Sequence, residues 1–195
     1  MKYSWIPIIF LFLFISCSKD SSPSGPSTSS SVIIPMKVGY SWTYHVYHYS
    51  SNGTVVDSSQ TATLIVTADS IFGGIHWYNS AAWGWATNKS DGFWQRDDQG
   101  NQYLIYRYPY SDTDTYAVSP TLNCKLESTH DTIKVGLAKY SCYLYHFMMN
   151  PANGGLTVHR EFIQPNVGLI RYEIWNTSGA GYMEYRLQLM YTSFH

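Results

Sequence analysis

"MEYRLQLMYT", residues 183–192, decides the fold. Met183, Tyr185, Leu187, Leu189 and Tyr191 occupy one set of alternate positions, and Glu184, Arg186, Gln188 and Thr192 occupy the other. A repeat of two is the mark of a half-buried β-strand, because successive side chains leave a strand on opposite faces. Two earlier stretches repeat the pattern. Tyr40 to Val46 alternates large apolar with polar residues, and in Thr61 to Thr67 the residues Ala62, Leu64 and Val66 share a face.

Turn signals separate such runs at short intervals. Asp97-Asp98-Gln99-Gly100-Asn101 joins Phe93–Arg96 to Tyr103–Tyr106, and its Gly and Asn tolerate the positive φ of a tight hairpin. Asn150 to Gly155 separates a strand near 140–148 from one near 156–163, Gln164 to Gly168 leads into Leu169–Trp175, and Asn176 to Gly181 leads into the last strand. Short strands, frequent turns and no helical periodicity predict an all-β fold. The expected form is a single antiparallel meander sheet rolled into a half-barrel or sandwich, which buries one aromatic face.

Composition narrows the function. Charged residues make up 13% of the chain and the formal net charge is -1, so there is no basic footprint for nucleic acid and no polybasic patch for a membrane surface. Aromatic residues reach 17%, with 18 tyrosines, a residue suited to pleated strands and half-wet binding surfaces.

The N-terminus gives an address. Met1-Lys2 precedes an almost charge-free run from Trp5 to Ile15, the layout of a cleavable export signal. A membrane-spanning helix needs about 20 apolar residues, and this run is shorter. Phe14-Ile15-Ser16-Cys17 resembles the lipobox of bacterial lipoproteins, with Phe14 in place of the usual Leu. The resemblance implies that residues 1–16 are removed and that Cys17 becomes an acylated N-terminus, held in the membrane by several lipid chains. Residues 17–33 then form a linker. Its stretch from Ser18 to Ser31 has no aliphatic or aromatic residue and is expected to be a flexible tether with a reach of roughly 20 Å. The globular domain spans 34–195. Ser18 after the cysteine, followed by Lys19-Asp20, resembles the outer-membrane sorting and export signals of Bacteroidota-type lipoproteins, which leaves the periplasmic and the cell-surface side both open.

A second resemblance lies in the domain. Pro35-Met36-Lys37-Val38-Gly39-Tyr40-Ser41-Trp42-Thr43-Tyr44 looks like the Pro-x-Lys-x-Gly-x-x-Trp-x-Tyr opening of a group of Bacteroidota-type lipoproteins of unknown function. Asp91-Gly92-Phe93-Trp94 and Val167 to Ile170 match two further segments of that group. The likeness implies an all-β lipoprotein and carries no catalytic residue with it.

Two of the three cysteines, Cys124 and Cys142, fall in the exported domain, where a disulfide between them is expected to add about 3 kcal/mol. Two buried free thiols, or half of a metal site, are the alternatives. No metal centre is expected: His45 and His48 lie three apart, on opposite faces of a strand, and there is no His-x-His, Cys-x-x-Cys or His-Glu-x-x-His motif. Asp97-Asp98 and Asp112-Thr113-Asp114 read as acidic turns, since calcium needs 6 to 8 oxygens and neither loop matches a binding loop. No nucleophile elbow, Ser-x-x-Lys pair or phosphate-binding loop is present, so neither catalysis nor a cofactor is expected.

The candidate binding residues are Trp77, Asn79, Trp83 and Trp85, in His76-Trp77-Tyr78-Asn79-Ser80-Ala81-Ala82-Trp83-Gly84-Trp85. Trp83 and Trp85, two apart, are expected to share a strand face that stacks on a sugar or lines an apolar pocket, with Asn79 orienting the ligand. The alternative is that these tryptophans are core. The expected protein is a lipid-anchored envelope module that binds a glycan or an apolar ligand. Docking on another envelope protein is the runner-up, and a hydrolase built from distant strands is the third reading.

Overall fold

A computed structural model describes residues 32–111, 115–149, 157–176 and 181–194. Cys17, the export signal, the tether up to Ser31, Asp112, Asp114 and the turn segments 150–155 and 177–180 lie outside the described residues.

The described chain is all strand and turn: β1 Ser41–Tyr49, β2 Val55–Asp57, β3 Thr61–Phe72, β4 Ile75–Ser80, β5 Gly84–Lys89, β6 Gly92–Arg96, β7 Gln102–Arg107, β8 Thr115–Ser119, β9 Leu122–Val135, β10 Ala138–Met149, β11 Thr157–Gln164, β12 Gly168–Asn176 and β13 Tyr182–Thr192. They form one antiparallel sheet in the order β7-β6-β5-β4-β3-β1-β13-β12-β11-β10-β9-β8, with β2 beside the far end of β1. The meander expected from the turns is present in two runs, β3–β7 and β8–β13, which β1 welds together by pairing β3 on one edge and β13 on the other. The sheet curls until its free edges, β7 and β8, face each other.

Side chains, not a backbone ladder, close that seam. The Tyr116 hydroxyl of β8 donates to Ile105 O at 2.7 Å and accepts from Arg107 N at 3.2 Å, and the Tyr145 hydroxyl donates to Arg107 O at 2.6 Å. Backbone groups on a buried sheet edge need partners, and two tyrosines supply them here. The result is an almost closed barrel.

Its inner face is the aromatic core. Trp42 and Tyr44 of β1 are fully buried, and the Trp42 ring meets Trp83 edge-on with centroids 5.5 Å apart. Trp42 Nε1 donates to Val167 O at 2.7 Å and the Tyr44 hydroxyl donates to Leu169 O at 3.1 Å. A Cβ on Gly168 would lie 2.9 Å from Trp42 Nε1, so only glycine fits beneath the indole. Ile33 and Ile34 are fully buried, and the start of the domain is pinned by reciprocal bonds between Val32 and Asn166 of 2.7 and 3.1 Å. The motifs that gave the sequence resemblance therefore touch: the Trp-x-Tyr opening is bonded to the Val-Gly-Leu stretch.

The cysteine expectation is corrected. Cys124 and Cys142 are both buried free thiols on neighbouring strands. Register separates them: Cys142 pairs Asp131, seven positions along β9 from Cys124, which pairs Phe147. At about 3.3 Å per residue the separation is roughly 20 Å, against the 7 Å or so that a disulfide spans.

Strand length also departs from expectation. The turns predict short strands, but β3, β9, β10 and β13 have 12, 14, 12 and 11 residues. Length alone would suit a transmembrane barrel, but the outer wall does not. Its mid-strand positions carry Arg160, Glu173 and Arg186 directly opposite one another, which a lipid-facing wall does not accept. No helix among the described residues is long and apolar enough to cross a membrane.

Candidate functional site

The barrel holds a cavity of about 320 Å³, bounded by both halves of the sheet. Leu64, Trp83, Ile105, Val118, Leu169 and Leu187 make most of its wall apolar. Gln95 and one polar cluster interrupt that wall. Glu161 of β11 is nearly buried and accepts a hydrogen bond from the Tyr106 hydroxyl of β7. Its other oxygen, Oε1, lies 2.8 Å from His159 Nε2.

Period two explains the placement. His159 and Glu161 are two apart on β11 and so share a face, while Arg160 and Phe162 take the other. Arg160 stands beside Glu173 and Phe162 beside Arg171, both on the outer wall. The His159 ring stacks on Phe147 with centroids 4.5 Å apart and planes at 18°, and lies 5.0 Å from the Tyr172 ring. Two aromatic neighbours and a carboxylate thus fix the imidazole. Its Nδ1 is buried and has no hydrogen-bond partner among the described residues.

The site's acidities follow from burial. Tyr106 is held well above the ordinary phenol value, by burial first and then by the Glu161 carboxylate, and Tyr44 is raised in the same way. Burial, with help from Glu161 and Tyr185, pushes Tyr172 up to about 12. These hydroxyls stay neutral donors. Burial pushes the nearby Cys124 thiol up to about 12 as well, so it remains a protonated thiol and not a nucleophile. No cluster of His, Cys, Asp or Glu among the described residues is arranged to hold a metal ion.

The four residues singled out in the sequence divide between the faces. Trp83 precedes β5 and points inward, where it meets Phe93 at 5.8 Å as well as Trp42. Trp85 lies opposite Asn79 on one side and Arg96 on the other, and packs edge-on to Phe72 at 5.1 Å. In the unbroken β5–β6 register, Arg96 and Phe93 are three apart and face opposite ways, so Trp85 faces outward. The expected shared face of Trp83 and Trp85 is therefore corrected. Gly84, at φ 58°, sits between them and breaks the alternation. Trp77 is fully buried, Trp85 and Asn79 are half-buried, and only Trp83 of the four borders the cavity.

Among solved structures, the protein is similar to one from Bacteroides fragilis described as a candidate exported protein with a YmcC-like fold. Sequence identity is 11% and the TM-score 0.50, and the match covers 84% of this chain and 100% of that one. The fold is YmcC-like. A structure described as a candidate lipoprotein from Parabacteroides distasonis matches at 13% identity and a TM-score of 0.46, over 84% of this chain and 99% of that one. No family model matches the chain, and no curated protein does.

Sequence reasoning passed over His159, Glu161 and Tyr106. One signal was present. In Thr157-Val158-His159-Arg160-Glu161-Phe162-Ile163 neither set of alternate positions is cleanly apolar, although turns on both sides mark a strand. A strand with polar residues on both faces in a chain only 13% charged is the place to look for an inward-facing polar cluster.

Proposed function

We propose that this is a lipid-anchored protein of the bacterial cell envelope that binds an apolar ligand, without catalysing a reaction, inside its barrel. The observation that carries the reading is the apolar cavity with a single Glu161–His159–Tyr106 cluster in its wall. Small-molecule sites have this composition: a mostly hydrophobic lining with a few convergent polar groups. About 320 Å³ lies at the small end of the usual range of roughly 300–1,000 Å³. An apolar ligand is favoured over a glycan because Trp77 and Trp83, on which a sugar would stack, are buried and not displayed on an open face.

The anchor rests on Phe14-Ile15-Ser16-Cys17, and export agrees with the description of the Bacteroides structure that shares the fold. Against catalysis, the hydrogen-bonding neighbours of Glu161 are a neutral phenol and an imidazole, with no serine, threonine or thiolate among them.

Two measurements test the reading. Mass spectrometry of the mature protein should find diacylglycerol on Cys17, and an unmodified thiol or an uncleaved leader would end the anchor proposal. Uptake of N-phenylnaphthylamine, an apolar dye that brightens out of water, should saturate at one site per chain. Ala82→Phe, at an exposed turn position bordering the cavity, should weaken it. Dye binding indifferent to that substitution would move the function to an outer surface, where docking on another envelope protein becomes the better reading.

A further inference from the structure

We infer that the cavity takes an organic cation, an apolar body with an ammonium head that seats against Glu161. This rests on reading the cavity as a ligand site and adds the charge of its ligand. Glu161 is an acid deep in an apolar wall, and no lysine or arginine lines the cavity among the described residues. A buried carboxylate is ordinarily matched by a cation, since leaving it unmatched in a low dielectric is expensive.

The arginines of β11, β12 and β13 do not fill that role. Arg160, Arg171 and Arg186 stand on the outer wall, where they pair with Glu127 and Glu173. Inside, Glu161 accepts a hydrogen bond from the Tyr106 hydroxyl and has His159 Nε2 2.8 Å from its other oxygen, contacts that engage two of the roughly four lone-pair positions a carboxylate offers. The buried Nδ1 of His159 has no hydrogen-bond partner among the described residues and, with the ring proton on Nε2 toward Glu161, offers a second acceptor. A head group that donates hydrogen bonds and carries positive charge meets both.

The rings favour the same chemistry. Trp83, Tyr106, Phe147 and Tyr172 border the cavity, with Tyr106 bonded to Glu161 and Tyr172 paired across from it. The faces of such rings attract ammonium groups, and the attraction is strongest where water is excluded. A ligand carboxylate or phosphate would bring like charge against Glu161 in the same space, which costs binding instead of adding to it.

Decylammonium, decanol and decanoate share one chain and differ in the head. Titrated into the full-length protein at one fixed pH and followed by tryptophan emission, they should bind in the order ammonium, alcohol, carboxylate. Glu161→Gln should lower the preference for ammonium over alcohol by at least about tenfold, the weight of one hydrogen bond to a charged group. Partition of the probes into detergent or lipid around the anchor is the same for both proteins and cancels in that comparison. Decanoate binding as tightly as decylammonium, or an unchanged ratio in Glu161→Gln, would overturn the assignment of charge while leaving the cavity a ligand site. Failure of all three to bind would remove the ligand site itself. Should Glu161→Gln not fold, the order of the three probes on the unaltered protein decides the matter alone.

Discussion

The two halves of the barrel are built differently. β4 to β7 are five or six residues long, and their outer side is held by cations lying on rings: Lys89 Nζ sits 4.0 Å from the Trp94 centroid and the Arg96 guanidinium 4.3 Å from that of Phe72. β9 to β13 run to as many as 14 residues and bury charge on both faces. Outside, Glu173 is almost fully buried between Arg171 at 3.7 Å and Arg186 at 3.4 Å. Inside, Glu161 meets His159 and Tyr106. The short half therefore packs mainly through rings and lends the cluster only the Tyr106 hydroxyl, while the long half carries the buried charge. Tryptophan density, highest in the short half, goes largely into packing: Trp77 is fully buried, Trp83 meets Trp42 and Phe93, and Trp85 meets Phe72.

The largest effect is expected where the halves face each other. Tyr44, Tyr106, Tyr116 and Tyr145 are all raised above the ordinary phenol value, chiefly by burial. Above about pH 10 the unfolded chain loses these protons while the folded chain keeps them, so stability falls as pH rises through and beyond that point. Cys124 and Cys142, each raised from 9.0 to about 12 mainly by burial, act in the same direction from about pH 9. Denaturation across the alkaline range should show a plateau and then collapse. Tyrosinate absorbance from all four rings with the native far-UV spectrum intact would contradict this.

Next comes the weld. Trp42→Ala removes a fully buried indole of β1, together with its bond to Val167 O and its edge contacts to Trp83 and Phe194. It should lower stability by about 3–5 kcal/mol in urea denaturation. Trp85→Ala, at a half-buried position within the short half, should cost less than half as much. A reversal would mean that β1 does not join the halves as described.

How far this could be read from the chain follows the same division. Alternation placed β1, β3 and β13 by their apolar faces, although the irregularity at Thr43/Tyr44 takes Tyr191, 59% exposed, off the face that Leu187 and Leu189 share. The hairpin at Asp97–Asn101 was legible too, since local chemistry makes it: Asp97 accepts from Asn101 N and Asn101 Nδ2, both at 2.8 Å, and from the Tyr103 hydroxyl at 3.0 Å. Asp91-Gly92-Phe93-Trp94 is also local: Trp94 Nε1 donates to Asp91 Oδ1 at 2.9 Å, and a Cβ on Gly92, at φ 148°, would strike Tyr106 O. The site was not legible in this way. Tyr106 and Glu161 are 55 residues apart and meet only because the sheet closes on itself, a property of curvature that no local pattern encodes. The cysteines misled for a related reason: their number and compartment suggested a bridge, while register on a long hairpin keeps them apart.

The two buried glutamates of the long half separate stability from binding. Glu173→Gln leaves Arg171 and Arg186 facing each other without their shared anion and should cost about 2–3 kcal/mol, the lower end for a buried pair because both guanidiniums keep some water. Burial and the Arg186 charge already lower the pKa of Arg171 below the ordinary guanidinium value, so loss of the carboxylate adds to an existing strain. Glu161→Gln strands no lysine or arginine and exchanges one hydrogen-bond acceptor for a donor, about 1 kcal/mol. Its stability loss should be the smaller of the two, with ligand binding as its main casualty. Equal losses from both would merge the two faces into one structural role.

The smallest effect belongs to the outer side of the short half. Lys89 Nζ lies 4.0 Å from the Trp94 centroid, 5.5 Å from that of Trp77, and 2.6 Å from Gln102 Oε1. Lys89→Met keeps an unbranched apolar stem over the indoles and deletes the charge, so its cost, about 0.5–1 kcal/mol, combines the cation–ring contact with the exposed bond to Gln102. Added salt should leave most of that difference in place, because a group pressed on a ring face is less screened than a free surface pair. Trp94 emission should shift on the same substitution while binding in the cavity does not, since Lys89 and Trp94 lie on the face that Trp85 shares and Trp83 does not. If Lys89→Met altered ligand uptake, the division between a packed wall and a chemically active one would fail at its simplest test.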